Sequence, residues 1–239
     1  MKLFDNLHYY IWQGKGNNCN TYVFAITLGG DRPHVLIDPG HLMNETKEPC
    51  LDTLLKSMGK DGIKPEDIGL IINTHGHWDH FQASRALIQM SRKKAGIPEQ
   101  TLVTLHEKEM EYMASVFVYM SKKAREEVFF EPSFYLVDGE LILGKQLTLR
   151  VINTPGSISL YWPEKRLVIT GDLLFYGSVG RTDFGGDGGD LKQSIERLME
   201  LDIEYVLPGH STEMGAIIQG RDKVQKNFTA IRASYFPML

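Results

Sequence analysis

The stretch from Ile68 to His80 constrains this chain more than any other. Ile68-Gly69-Leu70-Ile71-Ile72-Asn73 is a short apolar run of the kind that forms a strand buried on both faces, and it leads directly into Thr74-His75-Gly76-His77-Trp78-Asp79-His80. Packing alone does not explain three imidazoles and a carboxylate crowded together at the end of a buried strand. Imidazole and carboxylate are the ligands that suit zinc and non-haem iron. A loop at a strand's carboxyl end lets His75 and His77 converge on one ion while Asp79 and His80 turn toward another, and Gly76 permits the tight backbone this needs.

Two later positions have the same address. Asp172 closes Val168-Ile169-Thr170-Gly171-Asp172, and His210 closes Val206-Leu207-Pro208-Gly209-His210. Alone, the first reads as a turn or cap residue and the second as a loop histidine. Beside the first motif, each completes a metal shell.

Around these points the hydrophobic pattern predicts strands over 7–12, 21–27, 34–38, 68–73 and 102–105, with helices over 50–58, 81–94 and 107–127. A second round predicts strands over 134–137, 147–152, 159–162, 167–170 and 205–207, a Gly-rich loop over 177–189, and helices over 191–201 and 215–234. No Pro/Ser-rich linker separates the rounds. The expectation is a single α/β (α+β) domain over 1–239, an αββα sandwich of two mixed sheets packed face to face with helices outside. Met110, Met113, Phe117, Met120 and Ala124 recur at three and four residues and read as a core-facing stripe. Covering a pocket, gripping an acyl chain or facing a twin subunit are the other uses of such a stripe.

Composition removes several classes of function. Hydrophobic residues make up 42% of the 239, enough for a sizeable core, so disorder is excluded as the main state. Lys and Arg total 26 against 30 Asp and Glu, and a net charge of −4 lacks the field that nucleic acid or anionic membranes reward. Cys19 and Cys50 are too few for a disulfide framework and read as reduced thiols. No segment approaches the roughly 20 apolar residues of a membrane helix, and the first twenty contain Asp5, His8 and Lys15. A cytoplasmic location, a small-molecule substrate, no nucleic-acid or membrane partner and a possible homodimer are the expectations.

His75-x-His77-x-Asp79-His80, the Asp172 and Pro208-Gly209-His210 strand ends and the early Leu36-Ile37-Asp38-Pro39-Gly40 together resemble the metallo-β-lactamase-fold superfamily of metallohydrolases. Gly180-Arg181-Thr182-Asp183 resembles the glyoxalase II-like and persulfide-dioxygenase-like branch. The resemblance implies that His75 and His77 hold a first metal, that Asp79, His80 and His210 hold a second, and that Asp172 bridges them. The family's further histidine for the first metal is absent: the chain reads Asn153-Thr154-Pro155-Gly156-Ser157, with Ser157 in its place in one alignment and about four residues, histidine included, lost in the better-fitting one. The implied cofactor is zinc, as two ions or as one if the first site is lost, with iron or manganese as substitutes. His106, just past the 102–105 strand, is a candidate substitute ligand, though a histidine opening a helix is better suited to capping it or to donating behind the ligands.

The chemistry expected of such a site is hydrolysis of a thioester, ester or lactone, with Asp79 as the catalytic residue that orients the attacking hydroxide and takes its proton. Arg181, in a Gly-flanked loop, is a candidate grip for a substrate carboxylate such as that of a glutathione or coenzyme A-type thioester, or else a partner that stiffens the loop through Asp183. Tyr176, in the same loop, is a candidate donor to substrate. The helical C-terminal domain of dedicated glyoxalase II enzymes is not expected here, since 29 residues follow His210. The alternatives are a mononuclear iron sulfur (persulfide) dioxygenase and a metal-binding protein with a degenerate first site.

Overall fold

A computed structural model describes residues 1–4, 6–92, 100–145, 147–183 and 186–239. They divide into two compact units, residues 1–136 with 143–146 and residues 137–142 with 147–239.

The first unit is built on a six-stranded mixed sheet. In chain order its elements are β1 (Leu7–Tyr10), β2 (Thr21–Phe24), β3 (His34–Ile37), α1 (Cys50–Lys60), β4 (Ile68–Ile72), α2 (Trp78–Phe81), α3 (Ser84–Ser91), β5 (Leu102–His106), α4 (Glu107–Phe117), α5 (Lys122–Val128) and β6 (Phe134–Leu136). The sheet order is β1 to β6 in sequence; β1, β2 and β3 pair antiparallel, and β3 through β6 pair parallel. Strand β4 lies between β3 and β5, which is why its sequence is apolar without alternation. Val23, Leu36, Ile68 and Ile71 from one sheet face pack with Leu51, Leu54 and Met58 of α1, Leu87 of α3 and Met113 and Phe117 of α4. The methionine stripe is therefore core packing: Met113 is buried, and Met110 and Met120 lie against the same cluster.

The second unit contributes β7 (Gly139–Leu143), β8 (Leu147–Thr154), β9 (Ser157–Trp162), β10 (Leu167–Gly171), the small hairpin β11 (Leu174–Phe175) and β12 (Ser178–Val179), α6 (Gly188–Met199), β13 (Tyr205–Pro208), β14 (Ile218–Gln219) and α7 (Arg221–Ser234). Its six-stranded sheet runs β14-β13-β10-β9-β8-β7, with β10 and β13 parallel. Ile152, Val168, Val206 and Ile218 pack against Leu191, Ile195 and Leu198 of α6 and Val224, Phe228 and Ile231 of α7. Each unit is thus a sheet with helices on a face, and the mixed α/β class expected from the pattern holds.

Several elements differ from the periodic reading, each for a local reason. The helix expected over 81–94 begins earlier and is broken. The carbonyls of Asp79 and His80 accept from the N–H groups of Cys19 (3.2 Å) and Gly40 (2.9 Å), so the helical ladder cannot run on through them. Positions 93 and 94 of that expectation lie outside the described residues. The helix expected over 107–127 is two helices, because Ser121 turns to extended geometry and its hydroxyl caps the Ala124 N–H. Strand β7, largely exposed, and the two-residue β14 carry too little apolar signal to be read from sequence.

Candidate functional site

The first unit assembles four of the expected residues on one strand-to-helix turn. His77 has extended geometry and opens α2, a single helical turn. Trp78 and Phe81, three apart, lie side by side with ring centroids 5.4 Å apart and join the core cluster, so Asp79 and His80 face away from it. His75 and His80 are fully buried, with ring centroids 4.0 Å apart. His75 Nε2 and His77 Nδ1 are 2.9 Å apart, and a ligand atom of Asp79 lies within 4.8 Å of one on His80.

Two residues that sequence reasoning gave no role hold this turn in place. Asp38, itself buried, has φ +54°, a left-handed conformation that aspartate tolerates better than most residues. Its Oδ1 accepts the Thr74 N–H at 2.7 Å; its Oδ2 accepts the Thr74 hydroxyl at 2.7 Å and His80 Nδ1 at 2.9 Å. A carboxylate acceptor at Nδ1 puts the proton there and leaves the lone pair on Nε2, the tautomer a metal ligand needs. The signal was present: Asp38 ends an apolar strand, as Asp172 and His210 do. Glu109 of α4 is the second. Its Oε2 accepts the Gly76 N–H at 2.9 Å, and burial holds its carboxyl above the usual carboxylate range against that bond. Sequence position alone did not suggest that the start of α4 would reach the His75-Gly76-His77 turn.

The approach of α4 also corrects the reason for Gly76. A Cβ there would lie 2.8 Å from Met113 Cγ, 3.1 Å from Tyr112 Cδ1 and 3.2 Å from the Glu109 carbonyl oxygen. Close approach of a helix, rather than a left-handed backbone, is what requires glycine. Tyr112 completes the contact, its ring edge-on to His77 at 5.3 Å. His106 ends β5 and its ring accepts the Lys108 N–H at 3.4 Å, a capping contact.

In the second unit, Asp172 and His210 follow the adjacent parallel strands β10 and β13, whose ends are tied by the Gly209 N–H donating to the Gly171 carbonyl at 2.7 Å. His210 Nε2 is 3.5 Å from Asp172 Oδ2. Tyr176 is half-buried, and its carbonyl accepts the hydroxyl of Thr212, two residues past His210. The exposed Arg181 makes a forked pair with Asp183, at 2.9 and 2.5 Å. Where the family's further histidine would stand, β8 and β9 are joined by Pro155-Gly156 alone, with Thr154 paired to Ser157 and Gly156 at φ +85°.

The donor sets fit a divalent ion. Two ligands on one tetrahedral zinc at about 2.0–2.1 Å stand roughly 3.3 Å apart; the His75–His77 nitrogens are 2.9 Å apart and the Asp172–His210 atoms 3.5 Å. Only a few tenths of an ångström separate either pair from a chelating bite.

Residues 14–210 match the model of the Metallo-beta-lactamase superfamily. The chain belongs to that superfamily. Its relatives include the "Probable metallo-hydrolase YqgX" of Bacillus subtilis, 36% identical over 158 residues, which are 62% of this chain and 71% of that one. The "Probable hydroxyacylglutathione hydrolase glo2" of Schizosaccharomyces pombe is 27% identical over 209 residues, 84% of this chain and 66% of that one. Among solved structures, "TTHA1623 in a di-iron-bound form" aligns with a TM-score of 0.61 at 28% identity, covering 92% of this chain and 95% of that one. No helix among the described residues is long and apolar enough to cross a membrane.

Proposed function

We propose that this superfamily member is a metal-dependent hydrolase of the glyoxalase II-like branch, acting on a small thioester, ester or lactone. The observation that carries the reading is the 2.9 Å approach of His75 Nε2 to His77 Nδ1, on a turn where Asp38 sets the His80 tautomer. The resemblance to a hydroxyacylglutathione hydrolase points to thioesters first.

His75, His77 and Asp172 are the residues proposed to hold a first ion, and Asp79, His80 and His210 a second with Asp172 between them. The match over 14–210 runs through both units, which supports their acting as one domain. When bound, a divalent ion supplies water acidified toward a pKa of about 7 and a Lewis acid for the substrate carbonyl. Asp79 orients the attacking water and takes its proton. Tyr176, on the loop beside His210, donates to substrate. Arg181 offers its charge to a substrate carboxylate in exchange for Asp183. Zinc is the proposed metal; the di-iron relative makes iron the first substitute to test.

The test is a panel of glutathione and coenzyme A thioesters, esters and lactones, run with zinc- and iron-loaded chain beside oxygen uptake with glutathione persulfide. Thioester turnover that vanishes in Asp172→Asn together with bound metal is the expected result. Oxygen consumption without hydrolysis refutes it.

A further inference from the structure

Asp79 is nearly buried, and its Oδ2 accepts a hydrogen bond from Asn17 Nδ2 at 2.8 Å. Asn17 stands 62 positions earlier, between β1 and β2, and is exposed. An exposed asparagine in a segment without regular structure ordinarily spends its amide on water. Here the backbone leaves it little choice.

Three consecutive amides of that segment are held by two carboxylates from the 44–48 turn. The Lys15 N–H lies 3.1 and 3.0 Å from the two Glu48 oxygens, the Gly16 N–H donates to Glu48 Oε2 at 2.9 Å, and the Asn17 N–H donates to Glu45 Oε1 at 2.7 Å. Glu48 is itself gripped by Asn44 Nδ2 at 3.1 Å and the Thr46 hydroxyl at 2.9 Å, and the Gly16 N–H above all, with Asn44, the Lys15 N–H and Thr46, holds its carboxyl down at about 2. On the other side, Trp12 Nε1 donates to the Gly16 carbonyl at 2.7 Å. The packing is close enough that a Cβ on Gly16 would fall 2.5 Å from Asn44 Nδ2. The strap is held at three consecutive residues, and it brings the Asn17 amide to the Asp79 carboxylate.

We propose that Asn17 is a positioning residue for Asp79, delivered by the strap that Glu45 and Glu48 tie down. The inference rests on the reading of Asp79 as base and second-ion ligand. The torsion at the end of an aspartate side chain is soft, so a bare carboxylate samples a wide arc. A donor fixed on Oδ2 sets the plane of the group, and with it the plane in which Oδ1 would meet an ion or water. Outer partners of this kind are worth roughly 10–100-fold in metal affinity or activity.

The experiment uses the full chain loaded with zinc or cobalt(II). It reads ions per chain by elemental analysis, the affinity of each ion by chelator competition, the cobalt visible spectrum, Tm, and kcat and KM on a thioester. Asn17→Ala should weaken the second ion by about 10–100-fold, alter the cobalt spectrum and lower kcat more than it raises KM, with Tm unchanged. Asn17→Asp keeps the shape, replaces the donor with a carboxylate and should be worse. Glu48→Gln, which loosens the strap without touching Asp79, should fall between the parent and Asn17→Ala. If Asn17→Asp binds metal and turns over like the parent, or Asn17→Ala loses only Tm, the positioning role is wrong while the metal reading stands. If the parent chain takes up no ion, the metal reading fails and takes this inference with it.

Discussion

Replacing Asp38 separates what that carboxylate does for the fold from what it does for the metal. It is 1% exposed and accepts three hydrogen bonds, from the Thr74 N–H and hydroxyl and from His80 Nδ1. Asp38→Ala strands a buried backbone N–H and a buried ring N–H at about 1–3 kcal/mol each, and so costs about 2–6 kcal/mol of a total stability of about 5–15. Asp38→Asn is the sharper variant. With its amide oxygen on the Thr74 N–H, its NH2 faces His80 Nδ1 and can only donate. His80 must then accept at Nδ1 and carry its proton on Nε2, the nitrogen the proposed ion requires. The metal-free Asn variant should lose only about 1–3 kcal/mol in urea unfolding. Its affinity for the second ion should fall by about 10–100-fold. Nitrogen-15 spectra of the histidine rings read the tautomer, and chelator competition reads the affinity. An Asn variant that keeps the Nδ1–H form of His80 and binds metal like the parent would refute the reasoning.

Gly76→Ala should destabilise the chain by about 1–3 kcal/mol, measured by thermal melting, because the new methyl meets Met113, Tyr112 and the Glu109 carbonyl at 2.8–3.2 Å; a neutral substitution would mean that α4 does not press on the turn. Glu48 has its pKa lowered to about 2 by bonds from Gly16, Asn44, Lys15 and Thr46. Its contribution is therefore complete above its unfolded pKa of about 4.3 and disappears as pH falls toward about 2. A side-chain carboxyl titration by NMR should place its midpoint near 2, and a midpoint near 4 would show that the strap is not held as described. Glu109→Gln can offer its amide oxygen to the Gly76 N–H and should leave Tm within a few degrees, whereas Glu109→Leu should lower Tm and weaken metal binding together; a harmless Glu109→Leu would remove that residue from the support of the turn.

The sheet strands were legible because their signals are local. Ile68–Ile72 and Leu167–Gly171 are buried on both faces, and both occupy interior places, the first between two parallel strands and the second between parallel β13 and antiparallel β9. Helix breaks were not legible, since what stops α2 is the pair of N–H groups that Cys19 and Gly40 bring from elsewhere in the chain. The six candidate ligands were visible as chemistry at strand ends. Their supports were less so, for Asn17, Asp38 and Glu109 reach the turn across 62, 36 and 33 positions. Sequence spacing carries no record of such distances. Asp38 alone had a readable address, at the end of β3.

The central proposal is that His75, His77, Asp79, His80, Asp172 and His210 hold metal ions. Anomalous diffraction from crystals of the zinc-loaded full chain tests it most directly. Zinc peaks are expected with His75, His77 and Asp172 around one position and Asp79, His80, His210 and Asp172 around another, the first weaker for want of a third histidine. Zinc bound elsewhere, away from these six side chains, would contradict it.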